Sequence, residues 1–204
     1  MNSTHFWSWF TANEKKLRSI NTLCEMEKNE LLHWFSQHLK YYSPKIGYRL
    51  IIPPLEYQKP AHLSFASYGD PEIRAIVLNL MEIAPKSKDW TISATLTSLA
   101  NEDPDYFEKE YCLNGICCKP SDIKFWCHLM DPFTDQFVLG IILDFPIEKF
   151  DPDLLHEVVA IIITDTLGEE KFERFIEAFF IQTELPEDEE LLELKDLKIY
   201  LEGC

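Results

Sequence analysis

The sequence predicts an α+β fold of two similar strand-strand-helix-strand modules, with mainly antiparallel sheet packed against helices. Apolar residues make up 46% of the 204 residues, which is enough for a sizeable core. Segments with the two-residue alternation of strands lie between segments with helical spacing. The order strand, strand, Asp-Pro, helix, strand occurs twice, and the Asp-Pro steps at 70–71 and 151–152 are 81 residues apart.

A pair of helices is predicted before the first module. The first helix starts at Ser3 or Thr4 as its capping residue and runs to about Ile20. Its apolar face contains Phe6, Phe10, Leu17 and Ile20, with Trp9 at the edge. Asn13 falls within this face and needs a hydrogen-bond partner, which we expect from a neighbouring element. The second helix spans about Glu25 to Tyr42 and ends at Ser43-Pro44.

In the first module, strands are predicted over 47–53 and 61–68, joined as a hairpin, and over 90–99. Between them Asp70-Pro71 starts a helix, because Asp is a favoured N-cap and Pro a favoured first helical residue. A short helix and the junction between the halves are expected within 101–122. We expect domains over 1–111 and 112–204, which either share one core or form two.

In the second module, 123–129 and 137–145 are predicted to form a hairpin joined through Asp131-Pro132. Asp151-Pro152 starts a helix that ends at Gly168, and a strand follows over 174–183. A last helix is predicted from about Glu189 to Leu201. The acidic run from Glu184 to Glu190 is interpreted as a loop that enters this helix.

The chain is strongly acidic, with 19 Lys and Arg against 35 Asp and Glu and a formal net charge of −16. A field of this sign repels phosphate groups, so neither a nucleic acid nor a membrane is expected as a partner. It favours a basic protein, although the same charge also serves solubility alone. No export signal or long apolar run is present, so we expect a cytoplasmic protein whose six cysteines are reduced.

The opening Phe6-Trp7-Ser8-Trp9-Phe10-Thr11-Ala12-Asn13-Glu14 resembles a group of uncharacterised bacterial cytoplasmic proteins. These proteins begin with a similar Trp-x-Trp-Phe-x-x-Asn-Glu helix. Ala84-Pro85 and Leu167-Gly168-Glu169 look similar as well. The resemblance implies a fold and a compartment, but it implies no activity and no catalytic residue.

Most motifs for catalysis or cofactor binding are missing from the sequence, and no cofactor is expected. Five possible metal ligands lie close together, namely Cys112, Cys117, Cys118, Cys127 and His128. Their spacing differs from that of structural zinc sites, and neighbours on a strand point to opposite faces, so no metal site is predicted. The six glycines are too far apart for a phosphate-binding loop.

Two binding hypotheses remain. On the second helix, Trp34, His38 and Tyr41 lie opposite the apolar face, where large aromatics are typical of a contact surface; the alternative is that another element covers them. Asp165 lies on an apolar helix face close to Glu169, where partial burial raises a carboxyl pKa and suits an acid or base; the alternative is a structural hydrogen bond.

From these features we expect a non-catalytic protein-interaction module, such as an inhibitor or immunity protein that neutralises a basic partner. The alternative is a small-molecule binder or hydrolase with Asp165, Glu169 and a partner such as His128 in one pocket.

Overall fold

The computed structural model describes residues 3–113, 115–184, 187 and 189–203. The fold is α+β, which confirms the predicted class. The chain divides into two compact units, Met1–Leu96 and Thr97–Cys204. This division lies earlier than the boundary after residue 111 that patterning suggests. Segment 97–111 belongs with the second unit because the Leu99 N–H bonds to the Asp165 carbonyl at 2.7 Å.

The first unit is built from two leading helices and a strand-strand-helix-strand sequence. Its helices are α1 (Ser3–Arg18), α2 (Glu25–Tyr42) and α3 (Pro71–Met81). Its strands are β1 (Gly47–Ile51), β2 (Ala61–Ala66) and β3 (Trp90–Ser93). The sheet order is β1-β2-β3, in which β1 and β2 form the predicted antiparallel hairpin and β3 is parallel to β2.

The helical pattern of the first unit is confirmed. The predicted apolar residues of α1 are buried, namely Phe6, Phe10, Leu17 and Ile20 in the turn after it. Trp7, which the pattern leaves out, is also buried, and its indole donates to the Leu80 carbonyl of α3 at 2.7 Å. The Asn13 amide donates to the Trp9 carbonyl of its own helix at 2.9 Å, so the expected partner on another element is wrong.

The second unit repeats this order after an additional small hairpin. Its strands are β4 (Tyr111–Leu113), β5 (Ile116–Cys118), β6 (Ile123–Asp131), β7 (Gln136–Leu143), β8 (Ile176–Ile181) and β9 (Leu192–Glu193). Its helices are α4 (Pro152–Leu167), α5 (Glu169–Phe175) and α6 (Leu197–Gly203). The larger sheet has the order β8-β7-β6-β9, and β4 pairs with β5 alone.

The two modules have matching topologies, as the repeated sequence order predicts. In each, an antiparallel hairpin is followed by a helical connection to a strand parallel to the second hairpin strand. Asp70 and Asp151 are both N-caps that accept hydrogen bonds from the backbone of the second and third helical residues. Each unit contains its own cluster of buried apolar side chains.

Several predicted bounds differ from the structure. The strand expected over 90–99 stops at Ser93, and the one expected over 174–183 begins only at Ile176, after α5. Segment 101–122 contains short 3-10 helices at Tyr106–Glu108 and Pro120–Asp122, in agreement with the short helix expected there, and in addition the β4–β5 hairpin. The last helix begins at Leu197, because residues 192–193 pair with β6. The acidic run lies partly outside the described residues, at 185, 186 and 188.

None of the helices in the described part of the chain has the length and apolar character of a membrane span.

Candidate functional site

Five side chains from α1 and α2 form a continuous surface that we call the aromatic–histidine face. They are His5, Trp9, Trp34, His38 and Tyr41. The face forms because residues four apart on a helix lie above one another, which applies to His5 and Trp9 on α1 and to Trp34 and His38 on α2. The opposite side of α2 is buried, which leaves this side outward.

His38 lies at the centre of the face. Its ring stacks on Trp9 with centroids 5.1 Å apart and an interplanar angle of 24°. The centroids of Trp34 and Tyr41 are each 6.3 Å from that of His38. The Nδ1 atoms of His38 and His5 are 3.3 Å apart, so one imidazole donates a hydrogen bond and the other accepts it.

The surroundings of His38 favour its neutral form. Partial burial lowers the pKa of His38 from its ordinary value of 6.5, and the nearby His5 lowers it further. A neutral imidazole can share a proton with a second imidazole, whereas two imidazolium ions at this distance repel each other. The lowered pKa therefore reduces the positive charge that His38 contributes at the centre of the face.

The outer aromatics of this face are accessible to solvent. Trp34 is 47% exposed and Tyr41 is 73% exposed, so within the described part of the chain both rings keep a large surface open to solvent. The structure thus brings Trp34, His38 and Tyr41 together as one surface. The pattern of α2 alone does not indicate the contribution of α1, for which the four-residue spacing of His5 and Trp9 is the available signal.

The carboxylates of Asp165 and Glu169 lie in the interior of the second unit, with 4% and 3% of their surface exposed. The Tyr111 hydroxyl donates to Asp165 Oδ2 at 2.9 Å. Close by, Tyr106 donates to the Ile162 carbonyl at 3.0 Å. These bonds attach segment 97–111 to α4, which gives Asp165 a structural partner.

The catalytic alternative would need a cleft at these carboxylates. A cleft of about 330 Å³ lies beside α5 and is lined in part by Asp135, Lys171 and Arg174. Two further clefts belong to the first unit. Neither Asp165 nor Glu169 lines any of these three. The expected partner His128 is exposed, and the centroid of its ring lies 5.2 Å from that of the Phe180 ring.

The cysteines differ from the expectation that all are reduced, because the sulfurs of Cys112 and Cys117 are bonded to each other across the β4–β5 hairpin. A carboxylate oxygen of Glu110 lies within 4.8 Å of both sulfurs. Cys118 is buried, and this burial, with Asp122 and Glu110 nearby, raises the pKa of its thiol to about 11.

Charge is distributed very unequally between the two units. Residues 1–96 contain 11 Lys and Arg against 9 Asp and Glu, a net charge of +2. Residues 97–204 contain 8 against 26, a net charge of −18. The acidity of the chain is thus a property of the second unit, whereas the aromatic–histidine face lies on the nearly neutral first unit.

Comparison with known protein families finds no matching family. Comparisons with curated proteins and with solved structures find no match either.

Proposed function

We propose that this protein is a non-catalytic protein-interaction module that binds a basic protein partner. The observation that carries the proposal is the exposed aromatic–histidine face, where Trp34 and Tyr41 flank the stacked His38. Large aromatics that keep this much exposed surface are typical of contact surfaces, since Trp and Tyr dominate the binding energy of many interfaces.

The chemistry of the face suits Lys and Arg side chains. The π-faces of Trp and Tyr attract cations, by about 0.5–1 kcal/mol at exposed sites and about 2 kcal/mol when water is excluded. A neutral His38 adds a further acceptor or donor without adding a positive charge. The arrangement therefore supports contacts with a partner that presents Arg or Lys.

The second unit supports the same choice of partner. A net charge of −18 creates a negative potential that speeds the approach of a positively charged protein and weakens as salt rises. In this proposal the acidic unit raises the association rate, while the aromatic–histidine face provides short-range contacts. The bacterial origin and cytoplasmic compartment implied by the N-terminal resemblance stay predictions.

The contribution of the face is tested by isothermal titration calorimetry with a synthetic arginine-rich peptide as the probe. We expect the double variant Trp34→Ala, Tyr41→Ala to bind roughly tenfold more weakly, since two cation–π contacts together contribute about 1–2 kcal/mol. The matched control is Tyr57→Ala, because Tyr57 is 63% exposed on the same unit but lies outside the face. Equal losses in the control and the double variant would contradict the proposal.

The role of the acidic unit is tested separately by reversing charges at Glu148, Glu157 and Glu177, which are all exposed. The triple Glu→Lys variant should associate with the same peptide more slowly and show a weaker dependence on salt. Stopped-flow fluorescence measures both quantities. An unchanged association rate at low salt would remove the basic partner from the proposal and leave only the aromatic contact.

The alternative of a carboxylate-based pocket is not favoured. Asp165 is buried and accepts a hydrogen bond from Tyr111, and neither it nor Glu169 lines a described cleft. Both carboxylates are better explained as part of the interior of the second unit.

A further inference from the structure

The β4–β5 hairpin has one face in the core and one face in solvent. Ile116 and Cys118 are buried in the core of the second unit, and Tyr111 and Leu113 pack against that core. The remaining pair, Cys112 and Cys117, is exposed on the other side. Alternation along each short strand places the two cysteines together on the outward face.

The pairing register determines that these two cysteines meet. Cys112 lies directly opposite Cys117 in the antiparallel pair, with their Cα atoms 4.2 Å apart. The same register would hold the two thiols side by side after reduction, because the flanking pairs Tyr111–Cys118 and Leu113–Ile116 anchor the hairpin through their inner face.

The disulfide is poorly suited to a purely structural role. It joins residues only 5 apart in the sequence, and a crosslink that closes so short a loop constrains the unfolded chain much less than one that closes a long loop. Both cysteines are exposed and therefore accessible to a small thiol. The neighbouring thiol Cys118 is buried in the core, so a small thiol cannot reach it and it is a poor competitor for exchange.

Reduction by a small thiol is a balanced exchange. Two molecules of the small thiol supply two electrons and two protons, the bond between the Cys112 and Cys117 sulfurs breaks, and the products are two cysteine thiols and one small-molecule disulfide. The sulfurs, no longer bonded, can then separate to about 3.8 Å, the spacing of two thiolates on one tetrahedral zinc ion with Zn–S distances of about 2.3 Å.

A third ligand is already in place. The Glu110 carboxylate lies within 4.8 Å of both sulfurs and is exposed, so a side-chain rotation can bring it to an ion held by the two thiolates. A divalent cation bound here would neutralise the charges of the two thiolates and of the Glu110 carboxylate.

We propose that Cys112, Cys117 and Glu110 form a redox-gated binding site for a thiophilic divalent cation of the zinc type. In the oxidised state the disulfide removes both thiolate ligands. In the reduced state the ion binds to two sulfurs and one carboxylate oxygen, displaces the two thiol protons, and keeps a fourth position for water. This site replaces the expectation of no metal ligands in the cysteine-rich segment, and it leaves Cys127 and His128 out of the ligand set.

The test uses the full chain, reduced with a water-soluble phosphine that is then removed, and titrated with Co²⁺ as a spectroscopic substitute for Zn²⁺. We expect the reduced protein to bind one Co²⁺ ion per chain and to develop a thiolate-to-cobalt absorption band. Addition of Zn²⁺ should abolish this band by displacing the Co²⁺. The oxidised protein should show no band. A band of equal strength before and after reduction would overturn the proposal.

Variants assign the ligands. Cys112→Ser and Cys117→Ser should each abolish the band, and Glu110→Gln should weaken Co²⁺ binding about tenfold or more. Cys24→Ser is the matched control, because Cys24 is a free and exposed cysteine on the first unit. Loss of the band in the control, or its retention in the Cys112→Ser, Cys117→Ser double variant, would overturn the assignment.

A second measurement tests the redox step without relying on variants. Alkylation of the native protein followed by peptide mass spectrometry should leave Cys112 and Cys117 unmodified until a small thiol is added, after which both become modified together. If both are modified without the thiol, or neither is modified after it, the proposed redox gate is wrong.

Discussion

The first and second units follow the same path, a hairpin and then a helical connection to a parallel strand, yet one carries a net charge of +2 and the other −18. They also differ in how a strand glycine is covered. Gly47 of β1 lies beneath Tyr68, whose side chain is 68% exposed. Gly140 of β7 lies beneath the Trp126 ring of β6, which is 1% exposed.

The difference shows which features this topology requires and which it leaves open. Both connecting helices begin at an Asp-Pro step, because the helix must start sharply after the hairpin and Asp satisfies its first backbone N–H groups. Surface charge does not affect the path of the chain, so the two units can differ in net charge without a change of fold. Interaction properties are therefore specific to each unit.

The largest expected effect concerns the two covered glycines. In Gly140→Ala the new methyl group would overlap the Trp126 ring, which has no room to move in the interior, so we expect a loss of about 3 kcal/mol in the free energy of unfolding. In Gly47→Ala the outer end of the exposed Tyr68 side chain can shift, so the loss should be smaller than in Gly140→Ala.

Urea denaturation followed by circular dichroism compares these two variants. The glycines serve as controls for each other, since both lie within a strand of the hairpin. Equal losses would show that the rigidity of the covering ring does not determine the cost of the added methyl group.

A smaller effect is expected at the buried carboxyl group of the second unit. Tyr111→Phe removes the hydroxyl that donates to Asp165, and a buried acceptor that loses a hydrogen bond costs about 1–3 kcal/mol. The control is Tyr57→Phe, because the Tyr57 side chain is 63% exposed and lies outside the core of either unit. Thermal unfolding measures both variants, and a stable Tyr111→Phe protein would contradict the structural role given to Asp165.

The smallest effect is a pH dependence that is specific to the first unit. Because the pKa of His38 is lowered on folding, the unfolded chain binds more protons just below the ordinary value of 6.5. The contribution of neutral His38 to the free energy of unfolding is therefore complete above pH 6.5. It is lost as the pH falls below 6.5 towards the lowered pKa that His38 has in the folded protein. Acidification from about pH 7.5 to about pH 5.5 should therefore destabilise the first unit.

The first unit can be followed by tryptophan fluorescence, since Trp7, Trp9, Trp34 and Trp90 lie in it and only Trp126 lies in the second. The variant His38→Gln should reduce the loss of stability on acidification. An equal loss in the variant would assign the pH dependence to other groups.

The candidate sites were only partly predictable from the sequence. Trp34, His38 and Tyr41 could be placed on an outward helix face because helical spacing alone fixes which residues share a side. Their contact with His5 and Trp9 required the packing of α1 against α2. Asp165 was placed on an apolar helix face, but its hydrogen bond with Tyr111 joins residues 54 positions apart.

The sequence by itself determined features that depend on neighbouring residues. The helix α2 has the predicted bounds, and the Asp70 and Asp151 caps lie where predicted, because capping and helical periodicity act within one or two turns of the chain. The repeated order of elements and the overall negative charge are likewise read directly from the residues.

Only the tertiary structure decided features that depend on pairing between distant segments. Residues 192–193 form a strand because β6 offers them an unpaired edge, although their own sequence suits a helix. Cys112 meets Cys117 because the register of a hairpin, and not the spacing of cysteines, decides which side chains face each other. Local sequence sets propensities, whereas pairing and burial are settled by the free energy of the assembled unit.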